Sequence, residues 1–82
     1  MKLILYQTDF CQLCDEAASL VYRVLEHQAA ELELVDISLD DQLLEQYATL
    51  IPVLVTQGPV QQQLNWPFTQ EDILELLVRV SG

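Results

Sequence analysis

Between residues 2 and 25 the apolar pattern changes its period once, and that change constrains the fold more than any other feature of the chain. Residues 2–7, KLILYQ, form a short and nearly continuous apolar run, the pattern of a strand covered on both faces in the middle of a sheet. From residue 14 the apolar positions become Cys14, Ala17, Ala18, Val21, Val24 and Leu25, the three-and-four spacing of a helix with one buried stripe. A strand that runs directly into such a helix needs neighbouring strands for the helix to cover.

The rest of the sequence supplies them. Residues 31–37, ELELVDI, begin by alternating and end apolar, which predicts a second strand rich in buried positions. Ser38 or Asp40 can cap a short helix running to Ala48, with Leu43, Leu44 and Tyr47 turned inward. Residues 51–55, IPVLV, read as a third strand opening with a proline, where the missing N–H is tolerated. Gln57, Gly58 and Pro59 offer a turn, and residues 60–64 then read as a polar-faced edge strand closing a hairpin.

The final helix is announced by Thr69 as cap, by Glu71 and Asp72 at its positive end, and by Phe68 placed to staple onto Ile73. Its buried stripe is Ile73, Leu76, Leu77 and Val80, and Ser81 and Gly82 end it. The order β-α-β-α-β-β-α predicts an α/β protein with a central four-stranded mixed sheet flanked by helices on both faces. At 82 residues, 51% of them apolar and 20% charged, the chain suits one domain spanning 1–82 with one core. The apolar start stops too early for a secretory leader, and no run approaches the roughly 18 residues of a membrane span, so a cytoplasmic protein is expected.

Both cysteines lie two residues apart in TDFCQLCDEA, at the junction of the first strand and first helix. They could be a redox pair, half of a metal site, or two small buried hydrophobes. Zinc in a structural site takes four ligands, and only His27 remains, far along the helix and better placed to meet that helix's negative end. No metal or other cofactor is therefore expected within one chain, which leaves a cluster shared by two chains through Cys11 as the remaining metal route. In a reducing compartment a close thiol pair is more often catalytic or metal-binding than a structural staple.

Function in open α/β sheets gathers at the carboxyl ends of strands, where Cys11 falls. A helix starting near Cys11 would aim free N–H groups and its positive end at the sulfur, favouring thiolate, with Cys14 one turn further in on the buried face. An exposed Cys11 would attack a substrate disulfide and Cys14 would resolve the mixed disulfide, with Gln12 and Leu13 closing a small ring between them.

C-x-x-C at the start of the first helix, an Ile-Pro about forty residues later, and this element order resemble glutaredoxins and the wider thioredoxin superfamily. The stretches CQLCDEA, IPVL and WPF resemble, more narrowly, a small family of bacterial glutaredoxin-like proteins of about this length. The resemblance implies a thioredoxin fold and thiol-disulfide oxidoreductase chemistry serving electron transport and redox homeostasis. It also implies a cis bond before Pro52, with Pro52 against the thiols and the backbone of Ile51 available to an extended substrate. From the sequence alone Pro52 would be an ordinary trans, strand-opening proline.

The chain departs from ordinary glutaredoxins in two places. Gln12 and Leu13 stand where those proteins carry a proline and an aromatic residue, and Asn65-Trp66-Pro67-Phe68-Thr69 lacks the paired glycine that holds the glutathione γ-glutamyl carboxylate. Thr69 and the N–H groups behind it remain as a place for a carboxylate.

Charge points the same way. Asp9, Asp15 and Glu16 surround the thiols, Lys2 belongs at the far end of its strand, and Arg23 lies well along the helix, so no cation is placed to clamp glutathione. Helix-start stabilisation of the Cys11 thiolate, opposed by those carboxylates, predicts a thiol moderately depressed from its free value and a pair that acts as a reductant.

Thirteen acidic against three basic residues, a net charge of −10, exclude nucleic acid and anionic membranes as expected partners. A monomer acting on a protein disulfide or a small thiol substrate is expected, with a non-catalytic thioredoxin-fold binding module as the alternative. Trp66 either lines a substrate groove or packs across the last helix, and the three carboxylates serve the helix start or filter substrates.

Overall fold

The computed structural model describes residues 1–58 and 61–81, the last two without their side chains. Strand β1 (Lys2–Gln7) leads into helix α1 (Gln12–Leu25), followed by strand β2 (Glu31–Asp36), a single 3-10 turn at Ile37–Leu39, and helix α2 (Asp41–Tyr47). Strands β3 (Val53–Gln57) and β4 (Gln63–Asn65) precede helix α3 (Gln70–Ser81). The sheet order is β2-β1-β3-β4, with β1 parallel to β2 and antiparallel to β3, and β3 antiparallel to β4. This is the mixed four-stranded sheet and the element order expected from the sequence. The expectations for Pro59, Val60 and Gly82, and for the side chain of Val80, fall outside the described residues.

The two-residue period of β1 and β3 divides the core into two layers. Leu3, Leu5 and Leu54 point to one face, where α1 supplies Ala17 and Val21 and α3 supplies Ile73 and Leu76. Val53 and Val55 point to the other, against Ile37 and Tyr47, with Tyr6 and Leu43 packed around them. The rings of Tyr6 and Tyr47 stack with centroids 4.5 Å apart, and burial there raises the Tyr6 phenol above its usual range. Both faces of β1 are thus covered.

Two strand boundaries and two burial positions differ from the sequence reading. Strand β2 is an edge strand, so Leu34 is 42% exposed and the strand is not rich in buried positions. Strand β3 starts at Val53, after Pro52, and the other edge strand is only three residues long. Leu44 is 40% exposed, because a seven-residue helix over one sheet face buries one narrow stripe, here Tyr47 with Leu43 beside it.

Caps close the elements. Asp40, rather than Ser38, caps α2 by accepting from the N–H groups of Gln42 and Leu43. Asp36 caps the 3-10 turn, where hydrogen bonds from the Ser38 hydroxyl and N–H hold its carboxyl below the usual carboxylate range. At α3 the cap is reciprocal. The Asp72 N–H donates to Thr69 Oγ1 and the Thr69 N–H donates to Asp72 Oδ2, with Phe68 and Ile73 buried in the same cluster as the expected staple.

Thr69→Ala removes that cap and should cost about 1 kcal/mol in urea unfolding. Leu44→Ala, on an exposed position, should stay within about 0.5 kcal/mol; an equal or reversed ranking would contradict this account of the second layer.

Candidate functional site

Strand β1 ends at Gln7, and residues 8–10 carry the chain to Cys11, the cap residue of α1. Cys11 has extended backbone angles, φ −114° and ψ 106°. Its carbonyl accepts from the Asp15 N–H at 3.0 Å, closing the first helical turn, and its Sγ accepts from the Cys14 N–H at 3.2 Å. Sulfur here takes the place an oxygen from Ser or Asp usually holds at a helix start.

Three residues of separation amount to about one helical turn, which puts the two Cα atoms 5.2 Å apart, inside the range that a disulfide spans. Cys11 and Cys14 are joined as a disulfide. Cys14 is 1% exposed and faces inward with Ala17 and Val21, whereas Cys11 is partly covered rather than fully exposed as expected. The cause is that its sulfur turns toward the Cys14 amide and sulfur. Gln12 and Leu13, between them, are exposed on the outer side of the turn.

The Ile51-Pro52 peptide bond is cis, and Pro52 is fully buried. Because Val53 is in register with Tyr6 at the end of β1, Ile51 and Pro52 lie at the same sheet edge as the segment leading to Cys11. The Ile51 N–H, however, donates to the Tyr47 carbonyl at 3.1 Å. Of its backbone, only the carbonyl could therefore pair with an extended substrate.

Trp66 follows β4 and precedes a second cis bond, to Pro67, which nothing in the sequence signalled. Its ring meets Phe68 edge-on at 5.0 Å and packs against the core. It also lines a shallow depression of about 570 Å³ with Gln12, Asp15, Glu16, Ser19 and Arg23. The packing across the last helix expected for Trp66 is therefore observed, and one edge of the residue also borders the depression.

Arg23 lies in that depression, well along the helix from the cysteines as expected. Positions 12, 16, 19 and 23 recur at helical spacing and share one face. The guanidinium therefore belongs to the exposed face that begins at Gln12, about 18 Å of helix rise from Cys11. The other two cations are paired elsewhere, Lys2 with Glu33 at 2.7 Å and Arg79 with Glu75.

At the start of α3, one of the N–H groups expected to meet a carboxylate already has a partner. The Thr69 N–H is already taken by the carboxylate of Asp72. Among the described residues no three His, Cys, Asp or Glu side chains are gathered as metal ligands, and His27 is exposed beyond the end of α1. No described helix is long and apolar enough to cross a membrane.

Residues 2–78 match the glutaredoxin-like domain (DUF836). The chain belongs to that family. The structural-genomics target protein XcR50 from X. campestris is similar, 32% identical in its X-ray structure with a TM-score of 0.74 over 94% of this chain and 96% of its own. Its solution structure is 33% identical with a TM-score of 0.76, covering 96% and 95% of the two chains.

Thioredoxin 1 from Thermosipho africanus superposes with a TM-score of 0.72 over 99% of this chain and 98% of its own, at 14% identity, which shows a shared thioredoxin fold. No match was found among curated proteins. Family, fold and a disulfide-forming pair at the first strand-helix junction together support a thiol redox role for the glutaredoxin-like chain.

Sequence reasoning missed Phe10, whose φ of 58° and fully exposed ring no local pattern announces. An apolar residue between a strand and a helix reads as core. In the reduced protein, iodoacetamide should modify Cys11 at least about tenfold faster than Cys14, because only the former meets solvent. Peptide mass spectrometry of timed samples reads the two rates, and equal rates would contradict the assigned division between the sulfurs.

Proposed function

We propose that this protein is a thiol-disulfide oxidoreductase that reduces disulfides of protein substrates, with Cys11 as nucleophile and Cys14 as resolving thiol. The observation that carries the reading is the Cys14 N–H held on Cys11 Sγ, with the second sulfur buried behind the first. In the reduced protein the Cys11 thiolate attacks one sulfur of the substrate, breaking its S–S bond and releasing one substrate thiolate. Cys14, losing its proton, then attacks Cys11 Sγ in the mixed disulfide, releases the second substrate thiolate and leaves the Cys11–Cys14 disulfide. Two electrons pass to the substrate. A dithiol reductant returns them by the same exchange in reverse.

The direction follows from charge. Asp9, Asp15 and Glu16 oppose the helix-start stabilisation of a Cys11 thiolate, and a less stabilised thiolate makes the disulfide the favoured form and the dithiol a reductant. Glutathione is disfavoured as donor, since the start of α3 is occupied by Asp72 and the nearest cation is Arg23. The reading assigns the protein to the cytoplasm, acting as a monomer, where a reducing pool keeps the pair in turnover. Its charge of −10 favours basic or neutral protein substrates over nucleic acid or anionic lipid. Ile51, Pro52, Gln12, Leu13 and Trp66 are assigned to the substrate side of the site.

Cys14→Ser should trap a covalent mixed disulfide with a protein substrate, visible as a mass increase lost on reduction, and Cys11→Ser should trap none. No trapped species with either variant would favour a binding module whose thiols do not turn over.

A further inference from the structure

We propose that Phe10 is a docking side chain for a large apolar residue adjoining the disulfide of a protein substrate, an inference that rests on the redox reading above. Phe10 breaks two rules at once. Its φ of 58° lies in the left-handed region that residues with a Cβ avoid, and its aromatic ring is fully exposed. No burial compensates for the backbone conformation. Such unrelieved local conflicts concentrate where a surface meets a ligand.

The chain itself provides the control. Phe68 stands immediately before the cap of α3, as Phe10 stands before the cap of α1, and Phe68 is buried with Ile73 four residues into its helix. The corresponding position in α1 is Asp15, which is exposed and cannot receive a ring. Phe10 therefore has no internal partner of the kind its counterpart has. On the other side of Cys11, Leu13 is 50% exposed, so two apolar side chains flank the partly covered nucleophile.

The carboxylates of Asp9, Asp15 and Glu16, all exposed, lie within three residues of Phe10 or Leu13 along the chain. The complementary occupant is an extended protein segment with an apolar side chain next to its cysteine and basic residues beyond it. A small anionic thiol would meet the carboxylates and leave both apolar side chains uncovered.

The test uses the full chain and two synthetic peptide disulfides of the same basic sequence, one with Leu and one with Ser beside the cysteine. With dithiothreitol as reductant, the wild type should favour the Leu peptide by about tenfold in kcat/KM, the scale expected for covering one large apolar side chain. Phe10→Gly, which fits the backbone and deletes the ring, should bring that ratio close to one, and Phe10→Leu should restore most of it.

A wild-type ratio of one, or a ratio unchanged in Phe10→Gly, would overturn the docking role while leaving the redox reading in place. Failure of the wild type to reduce either peptide would overturn the redox reading, and the docking proposal with it.

Discussion

The hydrogen bond from the Cys14 N–H to Cys11 Sγ is the interaction on which the candidate site depends. An α-helix leaves its first N–H groups without intrahelical partners, and a cap side chain normally supplies an oxygen. Here the cap is a sulfur, and the amide it satisfies belongs to the other cysteine. One contact therefore ties the outer sulfur to the first turn of α1, while the disulfide joins the two sulfurs across 5.2 Å of Cα separation. The contact is anchored in turn because β1 is an inner strand, held in register by β2 and β3 and covered by helices on both faces.

The same chemistry is used differently at the two ends of the chain. Helix α3 starts with a closed device in which Thr69 and Asp72 satisfy each other and Phe68 packs on the first buried turn. Helix α1 starts with an open one, a polarisable sulfur at the cap and an apolar ring with no inward partner. A helix end closed by its own carboxylate leaves one N–H fewer for an outside acceptor. An end closed by a sulfur remains available to exchange chemistry.

Much of the fold was legible because β1, α1 and α3 have strong, unambiguous periods and α3 has a complete start signal. Leu34 and Leu44 were misjudged for one shared reason: periodicity reports which side of an element is apolar, not whether anything covers it. Strand β2 lies at an edge and α2 is too short to bury a broad face. Placement of the thiols at the strand-helix junction could be read from composition and spacing, since C-x-x-C is one helical turn wherever a helix begins there.

The cis bond before Pro52 came from family resemblance, and the one before Pro67 from nothing local, because an isolated X-Pro pair reads as trans by default. Phe10 was invisible for a deeper reason: its conformation obeys neither propensity nor burial, and sequence reasoning has only those two guides.

The central claim is that Cys11 and Cys14 form a reversible dithiol whose oxidised form is favoured by its acidic surroundings. Equilibrating the protein with buffers of graded dithiothreitol and oxidised dithiothreitol, then counting alkylated thiols by mass, measures the midpoint directly. The account predicts a single two-electron transition lying below the potential of the glutathione pool. A midpoint well above that pool, or thiols that stay reduced across the series, would contradict it.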